Sequence, residues 1–539
     1  MFGLMQRREL LISSIIVHAA RHHGEAEVVS RRETGALVRT TYAQIELRAR
    51  KLMGVLRELG VVMGERVATL AMNSDRHLEL YYAISGMGAV CHTVNPRLSL
   101  DDIAYILGHA EDGVLFVDPC FLPLALGAAA KGGALRAIVV LGEEAEIAAG
   151  ALPSGVNLHG YETLLAQAND APDWPVLDEN AASGLCYTSG TTGRPKGVLY
   201  SHRSSLLHAF AVALPDVVGL RATSRVLPVV PMFHVNAWGL PYAAPMTGAS
   251  LLMPGRALDP VSVLRLMNDE RADIAVGVPT VWMALLAHMR ATGARFSTLK
   301  RIMSGGAALP RALVEGFAEL GVAAFQGWGM TETSPVVTLN APKPATETLA
   351  AADALDHAAK QGRVLFGADV RVIGGDGDDV AWDGKTPGEV FCAGHWIASG
   401  YFRHESEILR NGWLATGDVG VIDPDGFLQL TDRAKDLIKS GGEWISSIEL
   451  ENIAASHPDV AEAAAIAIPD EKWGERPLVI VVPREGRTPD PEAIRAWLRD
   501  KVAAFAVPDR VAVAEALPHG ATGKLLKTEL RRIYLANGI

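Results

Sequence analysis

Cysteine is scarce in this chain of 539 residues: there are four, Cys91, Cys120, Cys186 and Cys392, with no CxxC spacing. That excludes a disulfide framework and leaves no zinc-ligand pattern, and reduced thiols suit a cytoplasmic protein. Long apolar runs are missing as well. The N-terminal candidate, Leu10 to Ala20, follows Arg7 and Arg8 but is broken by Ser13, Ser14 and His18 and runs into Arg21. It falls short of the roughly 20 residues that span a bilayer and reads as an amphipathic helix instead of a signal peptide. No integral membrane segment is expected. Basic runs are absent and the net charge is −11, which argues against nucleic acid as a partner. There is no internal repeat, no low-complexity tract, and no Ser-His-Asp, HExxH or paired-carboxylate hydrolase signature. What remains is a chain with 49% hydrophobic and 21% charged residues, ordinary for a globular protein with a substantial core. Its length suggests about three or four compact units.

Apolar runs between helical patterns dominate the first 430 or so residues. Arg66 to Met72, Gly113 to Asp118, Ala137 to Gly142 and Ser250 to Gly255 are examples. Continuous apolar character predicts parallel strands buried on both faces. From about Val364 the texture changes to shorter strands joined by Gly/Asp turns, Gly374 to Asp379 and Asp423 to Gly426. The first of these lacks the ligand alternation and final glutamate of a calcium loop. Beyond Asp432 the pattern becomes compact α+β. Ser446 and Glu449 have capping-box spacing ahead of a helix, strands follow at 463–469 and 477–483, then a helix at 491–504 and a strand at 511–514.

Against this background one string stands out: YTSGTTGRPKGV, Tyr187 to Val198. Gly190 and Gly193 sit among Thr188, Ser189, Thr191 and Thr192, with Lys196 just beyond. Glycine lets backbone N–H groups converge on an anion, hydroxyls add donors, and lysine adds charge. The loop is suited to phosphate oxygens. It is not a Walker loop, because Lys196 stands three residues after the second glycine and Gly197 follows it. An acidic chain that handles anions must gather positive charge locally, and Lys196, Arg433, Lys435, Lys439 and Lys524 can do so. On residue type alone, His234 in PMFHVNAW reads as a core histidine, Asp418 as a turn former, and the cluster Arg433, Lys435 and Lys439 as a solvated basic face.

The phosphate-loop string resembles that of the adenylate-forming superfamily, which comprises acyl-CoA synthetases, luciferases and adenylation domains. Further strings of that superfamily follow in order: PMFHVNAW, SGGAAL, QGWGMTET, WLATGDVG, TDRAKDLIKSGGEWIS and PHGATGKLLK. The chain is most similar to bacterial medium- and long-chain fatty-acid–CoA ligases, with ligases for methylmercaptopropionate nearly as close. The resemblance implies a large N-terminal α/β adenylation domain over 1–431, with mixed, largely parallel sheets and a β-barrel-like part. A small mobile α+β lid over 432–539 would turn near Asp432. It implies ATP, Mg²⁺ and coenzyme A, a small carboxylic acid as substrate, and a homodimer.

Residue by residue, the resemblance assigns Thr188, Ser189, Gly190, Thr191, Thr192 and Lys196 to the phosphates, and Thr188 with Glu332 to the metal. Gln326, Gly327 and Trp328 would lie against adenine, Thr331 would meet the α-phosphate, and Asp418 the ribose. Arg433 and Lys435 fall in the ribose–phosphate and hinge region, with Lys439 beside them. Gly441 and Gly442 would pass the pantetheine arm, and Trp444 would close on adenine. Gly305, Gly306 and Ala307 would run along the acyl chain and adenine. His234 would border the acyl carboxylate, with Val235 and Trp238 lining the acyl tunnel. Lys524 would bridge the attacking carboxylate and the α-phosphate. His519 and Gly520 depart from the commoner pair at that point, away from the chemistry. Two other outcomes share these strings: an adenylate passed to a carrier arm or to oxygen, and a non-catalytic nucleotide-binding paralogue.

Overall fold

The structure is a computed structural model and describes residues 1, 3–142, 152–168, 170–188, 194–405, 407–433, 436–440, 443–519 and 525–536. The apolar runs become strands buried on both faces. One sheet has seven strands in the order Asn157–Gly160, Ala137–Val140, Val114–Val117, Arg66–Leu70, Val90–Thr93, Ala182–Tyr187 and Gly197–Ser201. All neighbours are parallel except the last pair, which forms an antiparallel hairpin. The glycine-threonine string therefore begins at the end of the strand Ala182–Tyr187 and ends inside its antiparallel partner Gly197–Ser201.

A second sheet has nine strands. Its centre, Ala323–Gly329, Arg301–Ser304, Ile274–Gly277, Arg225–Pro228, Ser250–Met253 and Glu27–Arg31, is parallel throughout. Antiparallel strands close both edges, Val336–Leu339 and Arg363–Val364 on one side and Leu37–Thr41 on the other. The N-terminal helix, Ile12–His22, is amphipathic as its pattern predicts and buries Ile12, Ile15, Ile16 and Ala19. Each large aliphatic side chain so buried contributes about 1.5–3 kcal/mol. The next helix, Tyr42–Glu58, starts at a full capping box of Thr41 and Gln44, which supplies partners for orphan N–H groups of its first turn.

The change of texture near Val364 marks a third, antiparallel sheet, the half-barrel part, built from Ala368–Ile373, Gly388–Gly394, Leu409–Arg410, Trp413–Ile422 and Leu428–Arg433. Its two Gly/Asp turns contain Gly377 and Gly426 at φ 91° and 84°, values a side chain would resist.

The C-terminal sheet pairs Val460–Asp470 with Gly474–Pro483, and the latter with Arg510–Val513 in parallel. Ser446 caps the helix Ser447–Ala455 by accepting from the Glu449 N–H at 3.1 Å. The Ser446 hydroxyl itself donates to the Thr431 carbonyl, which ties the helix start to the half-barrel's last strand. The helix Pro491–Arg499 ends short of the expected Ala504, because the Lys501 and Val502 N–H groups both turn back onto the Leu498 carbonyl. No helix among the described residues is long and apolar enough to cross a membrane.

Candidate active site

Three sheets meet at the site, and each contributes one end. From the seven-stranded sheet come Thr188 and Lys196, facing each other at the base of the hairpin: the Thr188 N–H donates to the Lys196 carbonyl at 2.8 Å, and the Lys196 N–H to the Thr188 hydroxyl at 3.3 Å. From the nine-stranded sheet comes the turn after Ala323–Gly329, carrying Thr331 and Glu332, both buried. The Thr331 carbonyl accepts from the Tyr200 hydroxyl at 2.7 Å, so the hairpin and the turn are already joined.

A connecting segment, 396–402, clasps both. The Ser334 hydroxyl donates to the Trp396 carbonyl at 2.8 Å, and the Ala398 N–H to the Glu332 carbonyl at 2.8 Å. The Phe402 N–H donates to the Gly197 carbonyl at 2.8 Å. Between these anchors the Tyr401 hydroxyl donates to Glu332 Oε1 at 2.6 Å, and its ring carries the Lys196 ammonium 4.9 Å from the centroid. Burial, reinforced by the Glu332 charge, pushes the Tyr401 hydroxyl well above its usual pKa, so it stays a donor.

The half-barrel supplies Asp418, 2% exposed on the strand Trp413–Ile422. Its Oδ2 accepts from Trp328 Nε1 at 2.9 Å and its Oδ1 meets Arg433 Nε at 2.6 Å. Asp418 and Arg433 are direct cross-strand partners. Next to Arg433, Asp432 is 1% exposed and accepts from the Ser447 N–H at 2.6 Å and the Arg433 N–H at 2.7 Å. The expected hinge carboxylate thus caps the first helix of the C-terminal part, where the helix dipole favours negative charge. Burial raises the Asp432 pKa, opposed chiefly by the Lys527 ammonium. Lys527 pairs with Glu451 at 2.7 Å and also donates to Ser447.

On the acyl side, His234 is half-buried, so it is not the fully packed core histidine its residue type suggests. It precedes a turn of opposite hand: Val235, Asn236, Ala237 and Trp238 have φ of 45°, 52°, 45° and 57°, and Gly239 follows at 81°. Buried hydrogen bonds hold this conformation. Asn73 Oδ1 accepts the Met232 N–H at 2.6 Å, the Tyr81 hydroxyl donates to Asn236 Oδ1 at 3.1 Å, and the Tyr82 hydroxyl to the Pro241 carbonyl at 2.7 Å. The turn lays the Trp238 indole against Gly305. A Cβ at 305 would stand 2.9 Å from that ring and 3.0 Å from the Gly327 carbonyl. Gly306 lies beyond at φ 80°. Gln326, 2% exposed, accepts the Leu309 N–H at 3.1 Å and donates to the Ala307 carbonyl at 3.5 Å, fastening this loop to the strand Ala323–Gly329.

Several expected residues, Ser189, Gly190, Thr191, Thr192, Lys435, Gly441, Gly442 and Lys524, lie outside the described residues. Lys439 and Trp444 are register partners across the hairpin of Ile438–Ser440 and Glu443–Ile445. Tyr401, Tyr200, Tyr81 and Asn73 were not legible as site residues. Only the Ser399-Gly400-Tyr401 turn, lying in no apolar pattern, offered a signal, and nothing in spacing ties Tyr401 to a glutamate 69 positions away.

Magnesium fits what is present. It prefers few protein oxygens completed by phosphate and water, and Glu332 with the Thr188 hydroxyl is such a set. No cluster of three or more His, Cys, Asp or Glu that would build an all-protein cage occurs among the described residues.

The AMP-binding enzyme family model matches residues 16–402, and that of the AMP-binding enzyme C-terminal domain matches 449–524. The chain is 46% identical over 533 residues to the 3-methylmercaptopropionyl-CoA ligase of Ruegeria lacuscaerulensis, covering 98% of each chain. It is 45% identical over 536 residues to the medium-chain-fatty-acid–CoA ligase of Ectopseudomonas oleovorans, covering 99% of this chain and 98% of the relative. A solved anthranilate CoA ligase in complex with anthranoyl-AMP shares the fold at TM-score 0.86 and 26% identity, with 98% of each chain covered. The chain belongs to the AMP-binding enzyme family and is one of its AMP-forming acyl-CoA ligases.

Proposed function

We propose that this ligase activates a medium-chain fatty acid with ATP and transfers the acyl group to coenzyme A. The observation that carries the reading is the convergence of Lys196, Glu332 and Asp418, one from each of three sheets, joined through Tyr401 and through Trp328. In the first step a carboxylate oxygen of the acid bonds to the α-phosphorus of ATP and the bond to pyrophosphate breaks. Lys196 and the hairpin loop hold the phosphates, Asp418 takes the ribose hydroxyls, and Glu332 with Thr188 would hold Mg²⁺, which supplies charge neutralisation when bound. Lys524 brings an ammonium to the forming bond, where a single oriented charge is worth about 10²–10³ in rate. In the second step the CoA sulfur bonds to the acyl carbon, the acyl–phosphate C–O bond breaks, AMP leaves, and the thiol proton passes to solvent. One site serves both steps if the lid, 432–539, turns about Asp432 against the 1–431 domain. The Asp432–Ser447 cap is then the contact that the turn rearranges.

Medium-chain acids come first because the segment after His234 resembles that of fatty-acyl ligases and packs Trp238 against Gly305 beside that half-buried histidine. Methylmercaptopropionate and long-chain acids follow, and aryl acids come last. The chain acts in the cytoplasm, as a homodimer. A panel from propionate to palmitate with methylmercaptopropionate and cinnamate, followed by pyrophosphate release and thioester formation, tests the substrate. Lys524→Ala should lower adenylate formation about 10²–10³-fold while sparing thioester formation from supplied acyl-AMP. Equal loss of both half-reactions would remove Lys524 from the role.

A further inference from the structure

We propose that Tyr401 is a positioning residue that keeps Lys196 and Glu332 apart and presents each to a metal–nucleotide complex; this rests on the function proposed above. Lys196 and Glu332 carry opposite charges and both adjoin the Tyr401 side chain. Left to themselves such groups attract, and a closed ion pair would occupy the ammonium and the carboxylate that ATP and its metal need. Each meets Tyr401 instead. The carboxylate takes the hydroxyl at 2.6 Å, and the ammonium lies 4.9 Å from the ring centroid. Both contacts are worth having. A hydrogen bond to a charged group is stronger than one between neutral groups, and a cation over an aromatic face is drawn by the ring's quadrupole.

The ring is held in place from three directions. It packs with Cys186, Val198 and Tyr200, and its backbone neighbours are fastened to Glu332 through Ala398 and to Gly197 through Phe402, at 2.8 Å each. The hydroxyl meets Oε1, so Oε2 is the oxygen proposed to face the cation. A donor on the non-ligating oxygen orients a carboxylate toward its metal, and loss of such partners typically costs 10–100-fold in metal affinity. Tyr401 is thus joined to both strings that hold the nucleotide, though it belongs to neither.

Manganese, whose electron-spin signal falls on binding, serves as the probe, added to the full chain with and without ATP and with no acid present. ATP-dependent Mn²⁺ binding should weaken about 10-fold in Tyr401→Phe, which keeps the ring. ATP retention in EDTA should stay within about twofold of wild type, because the ring still carries Lys196. Tyr401→Leu should weaken both. Wild-type Mn²⁺ affinity in Tyr401→Phe, with Glu332→Gln weakened, would overturn the role of Tyr401 while leaving the site intact. Equal Mn²⁺ binding in wild type and Glu332→Gln would sink the metal assignment itself, and Tyr401 with it. Thermal melts report folding; if Tyr401→Leu fails to fold, the Phe variant alone decides.

Discussion

Asp418→Asn separates a ribose-binding carboxylate from a merely structural one. Oδ2 accepts from the Trp328 indole at 2.9 Å and Oδ1 meets the Arg433 guanidinium at 2.6 Å. An amide keeps a single acceptor oxygen, so its NH₂ must confront one of those two donors. Arg433 is 41% exposed and can turn to water, while the indole is buried, so the amide oxygen stays with Trp328. The stability loss is then small, about 1–2 kcal/mol. The nucleotide loses more. Two ribose hydroxyls donating to a charged acceptor gain about 1.5–3 kcal/mol each. A neutral amide that keeps about half of that forfeits about 1.5–3 kcal/mol, or roughly 10–100-fold at 1.4 kcal/mol per decade. The assay is pyrophosphate release with saturating acid, measured against ATP and against 2′,3′-dideoxy-ATP. Wild type should prefer ATP by about 10²–10⁴-fold in kcat/KM, and the variant by only about 10–100-fold. If Asp418→Asn keeps the wild-type preference, the carboxylate does not read the ribose and the reasoning fails.

Trp238→Ala should raise kcat/KM for the longest acids of the panel relative to hexanoate if the indole, packed against Gly305, walls the proposed acyl pocket. Each newly buried methylene is worth about 0.8 kcal/mol, nearly fourfold, and an unchanged chain-length profile would take Trp238 out of the pocket wall. His77 gives a pH prediction. Burial lowers its pKa to about 4 from the usual 6.5, while Nδ1 and Nε2 bond to the Met72 carbonyl and the Thr69 hydroxyl at 3.0 and 2.9 Å. The unfolded chain therefore takes up a proton near pH 6.5 that the folded chain refuses until about pH 4. This stability contribution is present above pH 6.5 and is lost as pH falls through that window, about 3 kcal/mol in all. Urea midpoints between pH 4 and 7 should fall less steeply in His77→Gln, by about one proton's worth of slope; an unchanged slope refutes the assignment.

Much of the architecture was legible because burial on both faces leaves a direct trace. Arg66–Leu70, Val114–Val117 and Ala137–Val140 have no polar alternation, and no other placement would shelter them. The nucleotide strings were legible for a different reason: glycines and hydroxyls crowd where backbone must approach phosphate. What stayed hidden depends on contacts between distant positions. Trp328 and Asp418 are 90 residues apart, and Tyr401 and Glu332 are 69 apart. Each alone is an ordinary aromatic or acid, and only the meeting of sheet ends pairs them. The left-handed turn was hidden for a local reason. Val235, Asn236, Ala237 and Trp238 include a β-branched and a bulky residue that local preference would never put at positive φ, so tertiary bonding overrides propensity there.

That reversed turn makes the placement of Trp238 depend on residues distant in the sequence. Holding L-residues in this hand costs about 1–2 kcal/mol apiece, so four in succession store an amount comparable to the ~5–15 kcal/mol that stabilises a whole domain. The bonds that hold it come from Asn73 and from Tyr81 and Tyr82 on the helix Asp75–Gly86. With Trp238 in the proposed acyl pocket, laboratory evolution toward new acids has a second handle on that helix. Trimming a hydroxyl there would let the turn relax and widen the range of acids accepted long before the protein melts.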